Sequence, residues 1–241
     1  MSKVWKCPSL SYPEYFDDMA QREHILIGGV CGSGKSVTLE GFIFSLLAKA
    51  PCEAQLILID PKRVELAQFK NLPHTLSHVY RTEDIDEALI YAEEIMERRY
   101  EIMEQRGEKL FSGSDIYIII DEYAKIGGKH GEGSKRAIKA LANIAFMGRA
   151  SKIHIVACTQ RPTQDVLEGL IKNNITTVVA LRTNTAQESR NLIGQSGCET
   201  FPDRGKAYYS SPTSRTIKSI NIEKVPEDLM AKYIRFWEEQ K

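Results

Sequence analysis

The sequence predicts an α/β fold: a largely parallel central sheet flanked by helices, with antiparallel edge strands near the C-terminus. Three observations carry this. Short apolar, β-branched runs recur along the chain, segments with helical three-to-four spacing separate them, and a glycine-rich turn joins the first run to the first helix. Near-continuous apolar strands are what a sheet covered on both faces requires.

The elements follow in order. Residues 1–22 hold Pro8 and Pro13 among Tyr12, Tyr15 and Phe16 without a period, and predict an arm packed on the core. From His24 to Gly28 runs a buried strand, and residues 35–49 place Leu39, Phe42, Ile43, Leu46 and Leu47 on one helical face before Pro51 stops the helix. A second strand, Leu56 to Ile59, ends at Asp60-Pro61. A long helix from about Glu83 to Gln105 carries Ile85, Leu89, Ala92, Met96, Arg99 and Met103 on one side, with acids in its first turn as the helix dipole prefers. Further strands are expected at 116–120, 153–157 and 175–181. Residues 215–222 alternate polar and apolar, predicting an antiparallel edge strand paired with 207–210. A last helix begins at Pro226. Residues 23–222 therefore read as one α/β domain, with 1–22 as its arm and 223–241 as its C-terminal helix.

Composition narrows the function. The 241 residues are 42% hydrophobic and 27% charged, which excludes disorder, collagen and a small disulfide scaffold. Thirty-two Lys and Arg balance 32 Asp and Glu, so a nucleic-acid partner has to be gripped by local basic clusters and not by a net field. Cys7, Cys31, Cys52, Cys158 and Cys198 are odd in number and scattered, the usage of a reducing, cytoplasmic compartment. No apolar run approaches the roughly 20 residues that cross a bilayer, and no signal-peptide core follows Met1, so a soluble chain without an intrinsic membrane segment is expected.

Gly29-Val30-Cys31-Gly32-Ser33-Gly34-Lys35-Ser36 satisfies G-x-x-x-x-G-K-[ST] between a strand and a helix, the context that makes it a phosphate loop. Its N–H groups, through Val37, can wrap phosphates at a helix N-terminus. Lys35 is suited to the β- and γ-phosphates of ATP and the Ser36 hydroxyl to Mg2+. The strand 116–120 delivers Asp121 and Glu122 to the carboxyl edge of the sheet, where ligands of such folds bind. There Asp121 can hold the Mg2+, and Glu122 can polarise an attacking water. An acid pair of this kind argues for hydrolysis. The strand ending at Cys158 delivers Gln160, suited to sensing the γ-phosphate or orienting the water, or else an ordinary polar turn residue. Arg149 precedes that strand, and Arg161 follows it. After the acid pair, residues 125–136 hold four glycines and four Lys or Arg, including Lys129, Lys135 and Arg136; with Arg161 they suit contacts to a nucleic-acid backbone, a solvated turn being the alternative. The five histidines form no ligand spacing with Cys or acids, and no zinc is expected.

Through these residues the chain resembles the motor domain of the FtsK/SpoIIIE family of DNA translocases. The likeness runs from about His24 to Tyr209. It includes Gly32 to Val37, Leu58 to Lys62, Glu65-Leu66, Leu72 to His74, Met96 to Tyr100, Ile120 to Glu122 and Gly148 to Ala150, then Thr159 to Pro162, Asp165-Val166, Leu170 to Ile175 and Ser189-Arg190. The resemblance implies a RecA-like P-loop fold, usually a hexameric ring of one chain, that hydrolyses ATP between subunits and drives double-stranded DNA through its channel. It matches Arg149 to the family's arginine finger acting in trans and Gln160 to its sensor. It leaves room for a partner protein that loads DNA or provides a membrane attachment. Nothing in the chain resembles the family's membrane-spanning N-terminus or its winged-helix module, and Ala186 stands where the family's usual lysine is expected. Two other readings compete: the ATPase component of a conjugation-coupling or protein secretion machine, and a slowly hydrolysing assembly protein.

Overall fold

In the computed structural model of the chain, residue 19 and residues 24–167, 174–202, 204–212 and 216–240 are described. The expected arm at 1–22 lies outside them except for Met19, which is fully buried. So do 168–173, within the run that ends at Ile175, and Arg215.

The strands β1 (His24–Gly28), β2 (Ala54–Ile59), β3 (Thr75–Val79), β4 (Asp115–Ile120), β5 (Ile153–Thr159), β6 (Thr177–Ala180), β7 (Lys206–Ser210) and β8 (Lys218–Asn221) form one sheet. Its order is β3-β2-β4-β5-β1-β6-β7-β8. Every pair from β3 through to β6 is parallel, whereas β7 and β8 add on antiparallel. The expected pairing of the C-terminal edge strands is therefore present, with Ala207 opposite Ile220. The fifth expected strand is shorter than its apolar run: Thr177–Ala180 pairs with β1, and only Val178, Val179 and Ala180 also find partners on β7. β3 is the strand that apolar periodicity misses. It carries Ser77 and His78 in its middle, and as an edge strand it is only partly buried, so selection for a continuous apolar run is absent.

Alternate side chains of each central strand enter two separate cores. Ile25, Ile27, Leu56, Leu58, Tyr117, Ile119 and Val156 meet α1 (Lys35–Leu46) and α6 (Glu227–Glu238). Leu26, Ile57, Ile59, Ile118, Ile120, Ile155 and Ala157 meet α2 (Thr82–Arg106) and α3 (Lys135–Ser151). The remaining helices are short: α4 (Gln164–Leu167) follows β5, and α5 (Ala186–Ile193) follows β6.

One expectation is corrected here. α1 does not bury a single face but is buried nearly all round, its far side covered by α6. The Trp237 indole N–H donates to Leu47 O at 2.9 Å, and Tyr233 meets Phe44 edge to face. Since α1 begins at the phosphate loop, a helix clamped on two sides gives that loop a fixed base.

α3 is clamped as well. The buried Arg99 guanidinium of α2 donates to Ser151 O at 2.7 Å and Lys152 O at 3.2 Å, satisfying carbonyls at the C-terminus of α3. This explains an arginine in the apolar stripe of α2. Burial drives His24 down to about 3, with His154 adding to the effect, so its neutral Nδ1 accepts the Ile155 N–H at 3.0 Å and pins β1 to β5. No helix among the described residues is long and apolar enough to cross a membrane.

Candidate nucleotide site

The chain leaves β1 through a loop that neighbouring strands hold in place. Gly29 N–H donates to Thr159 O at the end of β5 (3.2 Å), and Val30 N–H to Arg182 O just after β6 (2.8 Å). Gly29 has φ +156°, and a Cβ there would lie 2.9 Å from Arg182 O, so only glycine fits this close approach. The loop closes on α1 at Gly34, an N-cap with no side chain to satisfy the first-turn N–H groups, and no acid stands in that turn. Such an end is built for an external anion. Lys35 Nζ curls back over the loop and donates to Gly29 O (2.9 Å) and Val30 O (2.7 Å). Burial lowers its pKa, an effect that the neighbouring Cys158 and Glu122 counter.

β4 ends beside this loop. Asp121 and Glu122 are both about 94% buried, each 6% exposed. Both oxygens of Glu122 face the N–H of Gln160, at 3.2 and 3.3 Å, and one also accepts from Ala124 N–H at 3.4 Å. Asp121 Oδ2 is buried without a hydrogen-bond partner. Burial pushes the Asp121 carboxyl up to about 6; Lys62 holds it back, and Asp60, Glu65 and Glu122 add to the rise.

A cleft of about 350 Å3 gathers Cys31, Gly32, Gly34, Lys35, Ser36, Val37, Asp121 and Gln160, with Glu65 and Arg204 completing its wall. Eight of the residues singled out in the sequence thus meet in one place. A roomier groove of about 570 Å3 lies between α1 and α6, lined by Glu40, Lys224, Met230 and Ile234 among others. It contains none of the phosphate loop and neither acid of the pair, so the smaller cleft is the candidate site. Its donors fit Mg2+: the Ser36 hydroxyl and the orphaned Asp121 oxygen are the hard oxygens such an ion takes, in numbers that leave room for waters and phosphate.

Sequence reasoning missed four contributors. Lys62 Nζ lies 3.8 Å from Asp121 Oδ2 and 3.9 Å from Glu122 Oε2. Asp60 holds the turn that presents it, its carboxylate accepting from the N–H groups of Lys62 (3.2 Å) and Leu66 (3.0 Å). Glu65 and Arg204 line the cleft. The available signal was positional: Asp60 to Glu65 follow a parallel strand, so they reach the same carboxyl edge as the acid pair.

Other expected residues are not at the cleft. Arg149 lies in the last turn of α3, exposed, immediately before β5 begins, whereas Gln160 follows the end of β5. A strand of this length separates the two sheet edges by about 20 Å. Lys129 and Lys135 are exposed, Arg136 is ion-paired with Glu93, and Arg161 is exposed after β5. The glycine-rich loop between β4 and α3 is held by internal turns, such as Glu132 N–H to Lys125 O at 2.8 Å, and Ser134 Oγ caps α3. That loop packs on α4, for a Cβ on Gly128 would sit 3.2 Å from Val166 Cα. Ala186 opens α5 after its N-cap Thr185, whose Oγ1 accepts from Glu188 N–H, while Glu188 Oε2 accepts from Asn184 N–H.

The FtsK/SpoIIIE family model matches residues 10–115. The chain is 32% identical over 247 residues to the DNA translocase FtsK of Helicobacter pylori (strain J99), a match covering 94% of this chain and 28% of that relative. It thus spans little more than a quarter of the relative's length. Among solved structures, the pCW3 conjugation coupling protein TcpA with ATPγS is similar at TM-score 0.78 and 21% identity, over 91% of this chain and 66% of that one. The cytoplasmic domain of the type VII secretion ATPase EccC of Thermomonospora curvata is similar at TM-score 0.73 and 21% identity, over 89% of this chain and 28% of that one. These likenesses give the chain the P-loop ATPase fold. The family model spans the phosphate loop and β2, the FtsK relative carries the likeness over nearly all of the rest, and on that ground the chain belongs to the FtsK/SpoIIIE family.

Proposed function

We propose that this chain is an ATP-hydrolysing motor that moves double-stranded DNA as a ring of copies, usually six in this family. The observation that carries the reading is the cleft that joins the phosphate loop to Asp121 and Gln160 at the carboxyl edge of a parallel sheet, with the buried Glu122 outside its lining but tied to the Gln160 N–H. The N–H groups of that loop and Lys35 bind the phosphates, and Lys35 exchanges its loop carbonyls for phosphate oxygens. Ser36 and Asp121 would hold Mg2+, which would supply neutralisation of phosphate charge when bound. Glu122 takes the proton of the attacking water, its carboxylate aimed by the N–H groups of Gln160 and Ala124. Gln160 senses the γ-phosphate through its side chain while its backbone holds the base.

Arg149 lies too far from its own cleft to stabilise phosphate charge there, which favours service to a neighbouring copy. The loops after β4 and β5 hold Lys129, Lys135, Arg136 and Arg161 for DNA phosphates, where repetition around a ring makes up for a neutral chain. In this reading the ATPase domain is 23–222, with 1–22 and 223–241 as its arm and closing helix. Its site of action is the cytoplasm, with loading or membrane attachment left to a partner protein.

Likeness to TcpA and EccC favours a second reading, a component of a conjugation-coupling or secretion machine. Steady-state ATP hydrolysis with and without linear double-stranded DNA, at low and moderate salt, separates the two. Stimulation that fades as salt rises supports the DNA motor. Hydrolysis indifferent to DNA favours the secretion reading.

A further inference from the structure

Asp121 and Glu122 stand side by side after β4, both nearly shielded from solvent. The nucleotide-site reading gives each a task that requires a negative charge, one on a metal and one on a water. Two adjacent buried anions repel, and each is destabilising without a counter-charge. β4 itself carries no cation, so one has to come from a neighbouring strand. β2 supplies it: Ile59 is level with Ile120 in the parallel register, and the residues that follow the two strands emerge together at one edge of the sheet.

The turn after β2 is rigidly built. Asp60 is fully buried, and its N–H donates to Val79 O of β3 at 2.9 Å. Its carboxylate accepts from the N–H groups of Lys62 and Leu66, and its carbonyl accepts from Arg63 N–H at 3.0 Å. Arg63 adopts φ +61°, a conformation that a non-glycine residue keeps only when its surroundings impose it. Its guanidinium lies 4.2 Å over the Tyr80 ring, just beyond β3. The two neighbouring cations of this turn are thereby separated: Arg63 stacks on Tyr80, and Lys62 reaches the acid pair.

The distances define the contact. Lys62 Nζ is 3.8 Å from Asp121 Oδ2 and 3.9 Å from Glu122 Oε2, close enough to offset charge and beyond hydrogen-bond reach. Asp121 Oδ2 therefore keeps its lone pairs, and Glu122 keeps its bonds to the N–H groups of Gln160 and Ala124. A direct hydrogen bond from the ammonium would occupy the lone pairs that a metal ligand and a base must offer. Lys35, the other cation of the site, donates to the loop carbonyls of Gly29 and Val30. We propose that Lys62 is a positioning residue for hydrolysis: its ammonium bridges the two carboxylates, holds them side by side, and acts through Glu122 and not on the phosphates. This inference rests on the nucleotide-site reading above and adds a residue to it.

The test is Lys62→Met in two backgrounds, wild type and Glu122→Gln, on the full chain with Mg2+, by single-turnover ATP hydrolysis and equilibrium binding of a fluorescent ATP analogue. In wild type the substitution is expected to slow hydrolysis about 10- to 100-fold, the scale of a misplaced reacting group. Analogue binding is expected to change by less than about 3-fold, because the phosphate ligands are untouched. In Glu122→Gln it is expected to slow hydrolysis by less than about 3-fold more, since the carboxylate through which it acts is gone. A second arm uses no nucleotide. In chelator at pH 7.5, Lys62→Met is expected to melt about 2–4 °C below wild type and to leave the melting temperature of Asp121→Asn/Glu122→Gln unchanged, because only charged acids lose a counter-charge. Wild-type hydrolysis in Lys62→Met, equal slowing in both backgrounds, a loss of analogue binding as large as the loss of turnover, or equal melting shifts in both backgrounds each overturns the proposal. Failure of wild type to bind the analogue overturns the nucleotide-site reading instead, and the melting arm then still decides whether Lys62 serves the acid pair.

Discussion

The backbone N–H of Gln160 lies 3.2 Å from Oε1 and 3.3 Å from Oε2 of Glu122, so the first residue beyond β5 holds the carboxylate at the end of β4. Because β4 and β5 are adjacent parallel strands, the two ends meet without any loop excursion. The bond ties the orientation of the acid to the backbone of the residue proposed to sense phosphate. A shift of Gln160 therefore turns Glu122.

Glu122→Gln keeps an acceptor oxygen for the Gln160 N–H but removes the basic carboxylate. The variant is expected to bind ATP with near wild-type affinity and to hydrolyse it at least ~100-fold more slowly, the scale of a lost general base. Single-turnover hydrolysis alongside equilibrium nucleotide binding measures both. Turnover close to wild type moves the base to another residue.

Asp121 links the site to stability. Its carboxyl titrates at about 6 in the fold, mainly because of burial, against 3.8 as an unperturbed group. The folded state binds more protons than the unfolded state between those values, so this residue's contribution to stability falls as pH rises through about 6. Without metal at pH 7.5, the buried charge costs roughly 3 kcal/mol, and an unpaired amide in Asp121→Asn returns roughly 1 kcal/mol of that. In chelator, Asp121→Asn is then expected to melt about 4–8 °C above wild type at pH 7.5, a gain that shrinks as pH falls toward 4. A variant that melts lower at both pH values refutes the buried-charge account.

How much of this was legible in the sequence depended on what each residue does. Strands buried on both faces had to be continuously apolar, so β1, β2, β4 and β5 announced themselves, and the phosphate loop announced itself through glycines that no other residue replaces. β3 stayed hidden because an edge strand tolerates Ser77 and His78. Lys62 stayed hidden because its partners are 59 and 60 residues away in sequence, and only the β2–β4 register brings them together. The full burial of α1 was also beyond reach, since it depends on α6 folding back from the far end of the chain.

The register of the phosphate loop against β6 makes a sharper prediction about glycine. A Cβ on Gly29 would lie 2.8 Å from Ser33 Oγ and 2.9 Å from both Arg182 O and Leu181 Cβ, and the Arg182 carbonyl cannot retreat without losing Val30 N–H. At Gly32, φ is +77° and nothing lies within 4 Å of an added Cβ. Gly29→Ala is expected to lose roughly 1–3 kcal/mol to overpacking in addition to backbone strain, whereas Gly32→Ala bears the strain alone, roughly 1 kcal/mol. Thermal or urea unfolding of the two variants without nucleotide gives the comparison. Equal losses mean that the loop yields at Arg182 and is not anchored there.

Arg149 tests the division of labour between copies. It stands one strand length from its own acid pair, so as a finger it acts on the cleft of a neighbour and its loss is felt there. Arg149→Ala copies mixed with Lys35→Ala copies, each inactive alone, are expected to recover ATP hydrolysis, since the Arg149 kept by one copy completes the intact cleft of the other. The fully substituted protein is expected to retain ATP binding and to lose about 1,000-fold or more in turnover, the scale associated with an arginine finger. The two measurements are coupled. Turnover of the substituted protein near wild type means that Arg149 serves only the C-terminal turn of α3. Full loss of turnover without recovery on mixing means that each copy needs its own Arg149, which a rigid chain of this geometry does not allow.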